Sequence, residues 1–384
     1  MDAKIVGWNH TPFGALEQDV EDLIKSAAAQ AIEMAGVDPA EIDGIWLGHF
    51  NSGMVPDAFA SSLVLGMDDS LRFTPATRVE NACASGSAAV YAARDAIRAG
   101  SARTVLVIGA EKMTALDTKG VTKALAGASY QAEEAGVSFP QIFGRIASGY
   151  FQAYGDHSET LARIAVKNHA NAMSNPLAQM RREVSFGFCN TPSEKNPMIA
   201  PPLRLTDCSL ISDGAAALVM VCEDRGGFEY AAGFRAARQV NDVMPLSRRD
   251  MTRLEGAARA FALAYDEAGI TVDDLDLAEV HDCFTIAELM IYEAMGLAPI
   301  GEGARAMGDG TVLADGRLPV NLSGGLKAKG HPVGATGVSM HVMAAQQVTG
   351  QAGPLQKAGA ELAAVFNMGG SGVANYCSIL EARP

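Results

Sequence analysis

One cysteine, Cys83, lies between an extended segment and a helix of small residues in 78-RVENACASGSAAVYAARDAIRAG-100. The unpaired N–H groups and the dipole at a helix amino terminus stabilise negative charge, so this position favours a thiolate. Small neighbours let a backbone or a ligand approach the sulfur closely. The position therefore favours a nucleophile, and the alternative is a cysteine that only packs in the core.

A histidine, His331, occupies a glycine-rich turn before another predicted helix, in 330-GHPVGATG-337. A turn of this kind fixes the ring rigidly, because proline restricts the backbone beside it. The imidazole could accept the thiol proton of Cys83 or donate a hydrogen bond to a developing oxyanion. A buried structural imidazole is the alternative reading.

The segment 281-HDCF-284 adds a second imidazole, His281, and a second thiol, Cys283, between a predicted strand and a predicted helix. No Cys-x-x-Cys or His-x-x-x-His spacing is present to complete four ligands, so we expect no metal site. Asp282 is suited to cap the helix that follows. The glycine-rich turn 367-NMGGSG-372 offers bare N–H groups for an oxyanion hole, or is a simple hairpin connection.

These residues need a scaffold, and apolar runs that alternate with alanine-rich helical segments predict a mainly parallel sheet covered by helices. The predicted strands are 4–8, 44–50, 76–81, 103–110, 214–221, 276–282, 361–367 and 373–380. The predicted helices are 20–36, 85–100, 252–269, 284–296 and 336–348.

The chain also repeats itself, which indicates two copies of one α/β unit. Three landmarks recur in the same order: 31–50 resembles 264–284, 79–86 has a counterpart in 320–337, and 103–110 has one in 361–370. We therefore expect an N-terminal half at 1–230, which includes an inserted region at about 113–205, and a C-terminal half at 231–384. In such a fold the equivalent loops, which carry Cys83 and His331, converge on one cleft.

Composition narrows the function classes. The net charge of −14 argues against a surface that tracks nucleic acid, although local basic pairs could still bind a small anionic ligand. The six cysteines are widely scattered, which favours a reduced, cytoplasmic compartment. No apolar run approaches the roughly 18 residues that a membrane span needs.

Five motifs taken together resemble the thiolase superfamily. In chain order they are NACASG (81–86), SDGAAA (212–217), HDCF (281–284), GHPVGATG (330–337) and NMGGSG (367–372). HDCF together with 202-PLRLTDCSLISDGAAA-217 is similar to the sterol-carrier-protein-type branch, or acetyl-CoA acetyltransferases. The resemblance implies a duplicated five-layered αβαβα fold with an inserted loop domain, and a homodimer or tetramer.

The resemblance also implies roles for single residues. Cys83 matches the nucleophile that becomes acylated, and His331 matches the histidine that activates it. Many thiolases carry their acid/base cysteine at the position that is Asn367 in this chain. The resemblance therefore assigns that role to Cys283 of HDCF. The N–H groups of Gly369 and Cys83 match one oxyanion hole, and His281 matches the group that orients the other.

The implied activity is that of an acyl-CoA C-acyltransferase: the CoA-dependent cleavage of 3-ketoacyl-CoA, or the reverse Claisen condensation, through an acyl-cysteine. Coenzyme A and acyl-CoA are then substrates, and no cofactor is bound tightly. Arg181, Arg182 and Lys195 are candidates for contacts to the CoA phosphates. The alternatives are a ketoacyl-synthase-like condensing enzyme and an acyl- or sterol-CoA binding protein that acts with a small accessory subunit.

Overall fold

The computed structural model describes residues 2–383 as strands packed between helices. The strands are β1 Ala3–His10, β2 Gly44–Gly48, β3 Ala76–Val79, β4 Thr104–Lys112, β5 Met198–Ala200, β6 Leu203–Arg204, β7 Asp213–Cys222, β8 Ala232–Asn241, β9 Leu277–Val280, β10 Leu362–Gly369 and β11 Ala374–Ala382. The helices are α1 Val20–Ala35, α2 Ala60–Leu63, α3 Ser85–Arg98, α4 Thr118–Ala126, α5 Gln131–Glu134, α6 Phe139–Tyr154, α7 Ser158–Ala172, α8 Phe186–Asn190, α9 Glu255–Ala268, α10 Thr285–Ala294, α11 Ala304–Gly308 and α12 Thr336–Val348. None of the helices in this described range is long and apolar enough to cross a membrane.

The large sheet has the strand order β3-β2-β4-β7-β1-β8-β11-β10-β9. Outward from its centre, β1-β7-β4 on one side and β8-β11-β10 on the other are antiparallel, and β2 and β9 then add in parallel. Beyond β9, Val320 forms a parallel bridge to Ala278, at the position in the second half that corresponds to β3 in the first half. This repetition confirms the duplicated α/β fold that the sequence predicts. The expectation of a mainly parallel sheet is wrong, because five of the eight strand pairings in the described sheet are antiparallel, and apolar runs alone do not reveal strand direction.

Side chains on alternate positions of the strands face two different cores, as the two-residue period of a strand requires. Leu106 and Ile108 of β4 pack with α1, whereas Val105 and Val107 pack with the core that contains α3 and α12. On the other half, α9 covers β8 and β11. The five layers are therefore α1, the strands of the first half, the pair α3 and α12, the strands of the second half, and α9.

The segment between β4 and β7 contains α4 to α8 and the small β5–β6 hairpin, so it is helical where the sequence predicts an insertion with few strands. The domain boundary at residue 230 stays a prediction. The strand β8 was not predicted from the sequence. Its burial alternates irregularly and its residues include Arg235, Arg238 and Gln239, so it lacks the apolar run used to recognise the other strands.

Glycines let the first turns of α3 and α12 meet backbone to backbone. A Cβ atom on Gly86 would lie 2.8 Å from the backbone nitrogen of Val338. A Cβ atom on Gly337 would overlap the backbone nitrogen of Ser87. Because backbone atoms cannot move aside as the end of a flexible side chain can, this contact fixes how closely the loops before the two helices approach each other.

We expect Gly337→Ala to lower the free energy of unfolding by about 1–3 kcal/mol, because the added methyl group forces α3 and α12 apart. The measurement is the urea midpoint of the purified variant. Gly308→Ala is the matched control, since a Cβ atom there meets no neighbour and the change should stay within about 0.5 kcal/mol. Equal midpoints for the two variants would contradict the tight helix contact.

Candidate active site

Cys83 follows β3 on a turn whose backbone is strained. Ala82 has φ = 50°, a left-handed conformation that costs a residue other than glycine about 1–3 kcal/mol. The hydroxyl of Ser85 stabilises the turn, because it accepts from the Asn81 N–H at 2.9 Å and donates to the Ala82 carbonyl at 2.6 Å. The turn directs Cys83 into a cavity just before α3 begins at Ser85.

His331 is held in one tautomer by its neighbours. Thr336 donates its hydroxyl proton to the carbonyl of Pro332 at 3.0 Å, so the hydroxyl oxygen can accept a hydrogen bond from His331 Nδ1–H at 2.7 Å. The neutral ring then carries a lone pair on Nε2. The Ser212 hydroxyl accepts the backbone N–H of His331 at 2.9 Å. His331 is thereby prepared to accept a proton at Nε2.

The structure brings three of the sequence-predicted residues into one buried cluster. One side-chain atom each of Cys83, His281 and His331 lies within 4.8 Å of the others. The two imidazole rings meet edge to face, with centroids 5.2 Å apart and planes at 83°. Cys283 is not part of this cluster but lines the same cavity.

Burial overrides the expected helix-terminus effect on Cys83. Loss of hydration, together with the nearby Glu111 carboxylate, raises the pKa of the thiol to about 12, although the Gly370 N–H donates to the sulfur and opposes the shift. The expectation that this position favours a thiolate is therefore wrong. Burial also raises the pKa of Cys283 well above its usual value, and nearby Cys83 adds to that rise.

Both histidines of the cluster are neutral at physiological pH. Burial, assisted by the positive charge of Lys329, lowers the pKa of His331 to about 3. Burial and the neighbouring His331 lower the pKa of His281 well below its usual value. A neutral imidazole beside a protonated thiol is the starting state for a general base.

Asp282 supports the loop that carries His281 and Cys283, and it does not cap α10 as expected. Its carboxylate accepts from the backbone N–H groups of Leu326 at 2.6 Å and Lys327 at 3.1 Å, in a single π-helical turn at Gly325–Lys329. The amide of Asn168 donates to it at 2.8 Å. The residue therefore ties the HDCF loop to the turn that precedes His331.

The glycine-rich turn after β10 lies against the turn that carries Cys83. A Cβ atom on Gly369 would overlap the carbonyl oxygen of Asn81, so only glycine fits there. The next residue, Gly370, lines the cavity and directs its N–H at the Cys83 sulfur. The role of the Gly369 N–H in an oxyanion hole stays a prediction.

The cavity around Cys83 is apolar and has a volume of about 250 Å³. Sequence reasoning missed most of its walls, including Val121 and Leu125 of α4, Phe139 of α6, and Leu210. Their only signal in the sequence was membership of the inserted region or its neighbourhood. The three cations proposed for the CoA phosphates are exposed and do not line this cavity: Arg181, Arg182 and Lys195.

The buried cluster also has the donor types of a metal site, which sequence spacing alone did not indicate. One thiol and two imidazoles, from Cys83, His281 and His331, are a ligand set that zinc accepts. The three residues are far apart in the sequence, so no local motif reveals them. Whether they can act as ligands depends on which ring nitrogens carry protons.

Comparison with known proteins gives matches over nearly the whole chain. Residues 3–224 match the family described as "Thiolase, N-terminal domain", and residues 237–382 match "Thiolase C-terminal domain-like". The chain is 39% identical over 377 residues to the acetyl-CoA acetyltransferase of Methanothermobacter thermautotrophicus, with 97% of each chain covered. It is 31% identical to human sterol carrier protein 2 over 93% of this chain and 67% of that protein.

A solved structure shares the fold. The protein described as "Ltp2-ChsH2(DUF35) aldolase" superposes with a TM-score of 0.82 at 24% identity, covering 99% of this chain and 98% of that chain. At this level of identity the likeness concerns the fold alone.

We expect alkylation of Cys83 by iodoacetamide to accelerate about tenfold per pH unit between pH 7 and 9, because only the thiolate reacts and its pKa lies near 12. Mass spectrometry of the Cys83 peptide measures the rate. His331→Ala is the control, since a neutral imidazole contributes no ion pair and its loss should leave the slope unchanged. A rate that is already constant at pH 7 would indicate a Cys83 thiolate paired with a charged His331.

Proposed function

From the premise that this chain belongs to the thiolase family, we propose that it transfers acetyl groups between Cys83 and coenzyme A, in the cleavage of acetoacetyl-CoA or the reverse condensation. The convergence of Cys83, His331 and His281 in one buried cluster beside an apolar cavity carries the proposal. The similarity to an acetyl-CoA acetyltransferase over the whole chain supports the acetyl group.

The first half of the cleavage uses Cys83 as nucleophile. The thiol gives its proton to Nε2 of His331 while the sulfur attacks the keto carbon, C3, of the substrate. The bond between C2 and C3 then breaks, the acyl group stays on the sulfur, and C2 takes a proton from the Cys283 thiol. A thiol with a strongly raised pKa suits this step, because it stays protonated until the carbanion forms.

The second half returns both protons. The Cys283 thiolate takes the proton of incoming coenzyme A, whose sulfur attacks the acyl group on Cys83. The released Cys83 sulfur regains its proton from His331. Because each step is reversible, the same residues serve the condensation. Two oxyanions form along the way, for which we assign the N–H groups of Cys83 and Gly369 to one and His281 to the other.

A second candidate is a decarboxylating synthase, which would use Cys83 with two histidines and no second thiol. The observation in its favour is that Cys83, His281 and His331 form the compact cluster while Cys283 stands outside it. Asn367, at the position where many thiolases carry their acid/base cysteine, fits this reading too. The two functions differ in whether Cys283 is required.

Assembly and location complete the proposal. We assign a homodimer or tetramer in the cytoplasm, with coenzyme A and acyl-CoA as substrates and no tightly bound cofactor. A small accessory subunit stays a prediction. Turnover by the purified chain alone would argue against a requirement for that subunit.

The test is CoA-dependent loss of acetoacetyl-CoA by the purified protein. We expect Cys83→Ala to lower kcat by more than about 10³-fold and Cys283→Ala by about 10²–10⁴-fold. Cys222→Ala is the matched control, since this thiol is equally buried but lies in β7, outside the cavity. Its kcat should stay within about twofold of the unaltered protein.

Retained turnover in Cys283→Ala would remove the acid/base role of that thiol and favour the synthase. Loss of only tenfold or less in Cys83→Ala would contradict the acyl-cysteine mechanism itself. Acyl-CoA binding without acylation of Cys83, detected by intact-protein mass spectrometry, would point to the binding-protein alternative.

A further inference from the structure

The amide of Asn367 occupies the space between the nucleophile loop and His281. Its Nδ2 lies 3.2 Å from the carbonyl oxygen of Cys83 and 2.9 Å from Nδ1 of His281. Its Oδ1 accepts the hydroxyl proton of Ser87 at 2.8 Å. Asn367 is fully buried, as is the His281 ring. The side chain is therefore out of contact with bulk solvent, and the three protein groups around it fix its orientation.

The carbonyl of Cys83 determines which end of the amide faces the histidine. A carbonyl oxygen can only accept, so the amide end beside it must be the NH₂ group. The same NH₂ group faces Nδ1 of His281, which must then be the unprotonated nitrogen of the neutral ring. The ring proton consequently resides on Nε2.

The Nε2–H of His281 belongs to a ring that lies beside Cys83 and His331. The atom is buried and has no hydrogen-bond partner within the described residues 2–383. The ring stands edge to face with that of His331, and both rings belong to the cluster around the Cys83 sulfur. A buried donor without a partner is costly, and such a group is often reserved for a ligand.

We propose that Asn367 is a positioning residue that holds His281 as the Nε2–H tautomer, so that His281 donates a hydrogen bond to an oxyanion of the substrate and cannot act as a base. This inference rests on the proposed function for the identity of the substrate. The two histidines then have opposite tautomers. The hydrogen bond to Thr336 keeps the His331 proton on Nδ1, and the hydrogen bond from Asn367 keeps the His281 proton on Nε2.

The arrangement explains how two neutral imidazoles in one buried cluster can have different roles. Neither pKa nor burial distinguishes the rings, since both are buried and both have lowered pKa values. The group bonded to Nδ1 makes the distinction, as an outer partner does for histidines in other sites. Loss of one oxyanion donor in a dry site costs about 10²–10³-fold in kcat.

The same tautomer works against metal binding by the cluster. A ring nitrogen that carries a proton has no lone pair for a metal, so His281 can join Cys83 and His331 as a ligand only after its proton moves to Nδ1. Such a move would place two N–H groups against each other, those of Nδ1 and of the Asn367 amide. Asn367 thus protects the catalytic thiol from soft cations such as Cd²⁺.

The first experiment reads the tautomer directly in the unaltered protein. Histidine labelled with ¹⁵N is incorporated, and long-range ¹H–¹⁵N correlations distinguish the protonated nitrogen from the unprotonated nitrogen in each ring. The His281 signals are assigned by their absence in His281→Gln. We expect the proton on Nε2 of His281 and on Nδ1 of His331. A proton on Nδ1 of His281 would overturn the proposal, whatever the activity of the protein.

The second experiment reverses the polarity at position 367. In Asn367→Asp the carboxylate can only accept, so the His281 proton should move to Nδ1. We expect kcat to fall about 10²-fold with KM within about threefold, because the lost donor acts on the oxyanion. Asn190→Asp is the control, since Oδ1 of this half-buried asparagine accepts from the Arg204 guanidinium at 3.0 Å, a partner that a carboxylate keeps, and the residue does not line the cavity. It should retain kcat.

Cadmium supplies a readout that loss of packing would not produce. We expect at least a tenfold gain in Cd²⁺ affinity for Asn367→Asp over the unaltered protein, followed by the ultraviolet absorbance of the bond between cadmium and thiolate. Asn367→Ala, which neither donates nor accepts, should give an intermediate affinity. An affinity that does not differ between the variants would contradict the positioning role.

The outcomes separate this inference from the proposed function. An inactive protein with the expected tautomers would count against acetyl transfer but leave the assignment of the His281 proton intact. An active protein whose kcat does not respond to Asn367→Asp would keep the thiolase function and overturn the role of Asn367.

Discussion

The active site depends on a contact between two backbones. Where α3 and α12 cross, Gly86 and Gly337 leave no room for even a methyl group, so the first turns of the helices touch directly. Each helix follows a loop with a catalytic candidate, Cys83 before α3 and His331 before α12. A spacing enlarged by one side chain would separate the Cys83 sulfur from the His331 imidazole, which we propose accepts its proton. The duplicated fold thus serves to bring two equivalent loops together.

The site also depends on burial away from water, which determines the protonation states of its thiols and imidazoles. Burial raises the pKa of both thiols and lowers that of both histidines, so these four side chains are neutral at physiological pH. Charge then appears only as bonds are exchanged, where fixed donors stabilise it without reorganisation. In such a site the role of an imidazole follows from the partner of its other nitrogen. Thr336 and Asn367 supply those partners.

The inserted region lines the cavity and also supports the HDCF loop through buried hydrogen bonds. The amide of Asn168 in α7 donates to Asp282 at 2.8 Å and to Glu288 at 2.6 Å, and Lys167 donates to Glu288 at 2.6 Å. Burial and the nearby Glu288 raise the pKa of Asp282 to about 7. Buried charges are costly unless they are paired. The hydrogen bonds from Asn168 and Lys167 supply that pairing and thereby fix the position of the HDCF loop.

The sequence by itself determined the family resemblance, the duplicated α/β fold and the segments that carry Cys83, His281, Cys283 and His331, because these follow from local motifs and periodicity. It missed β8, whose side chains do not form an apolar run, and it placed Asp282 on a helix cap. Only the tertiary structure decided the pKa of Cys83, the walls of the cavity and the contacts of Asn367. Those properties arise from burial and from neighbours remote in sequence: Asn367 meets Cys83 across 284 positions, and no local pattern encodes that contact.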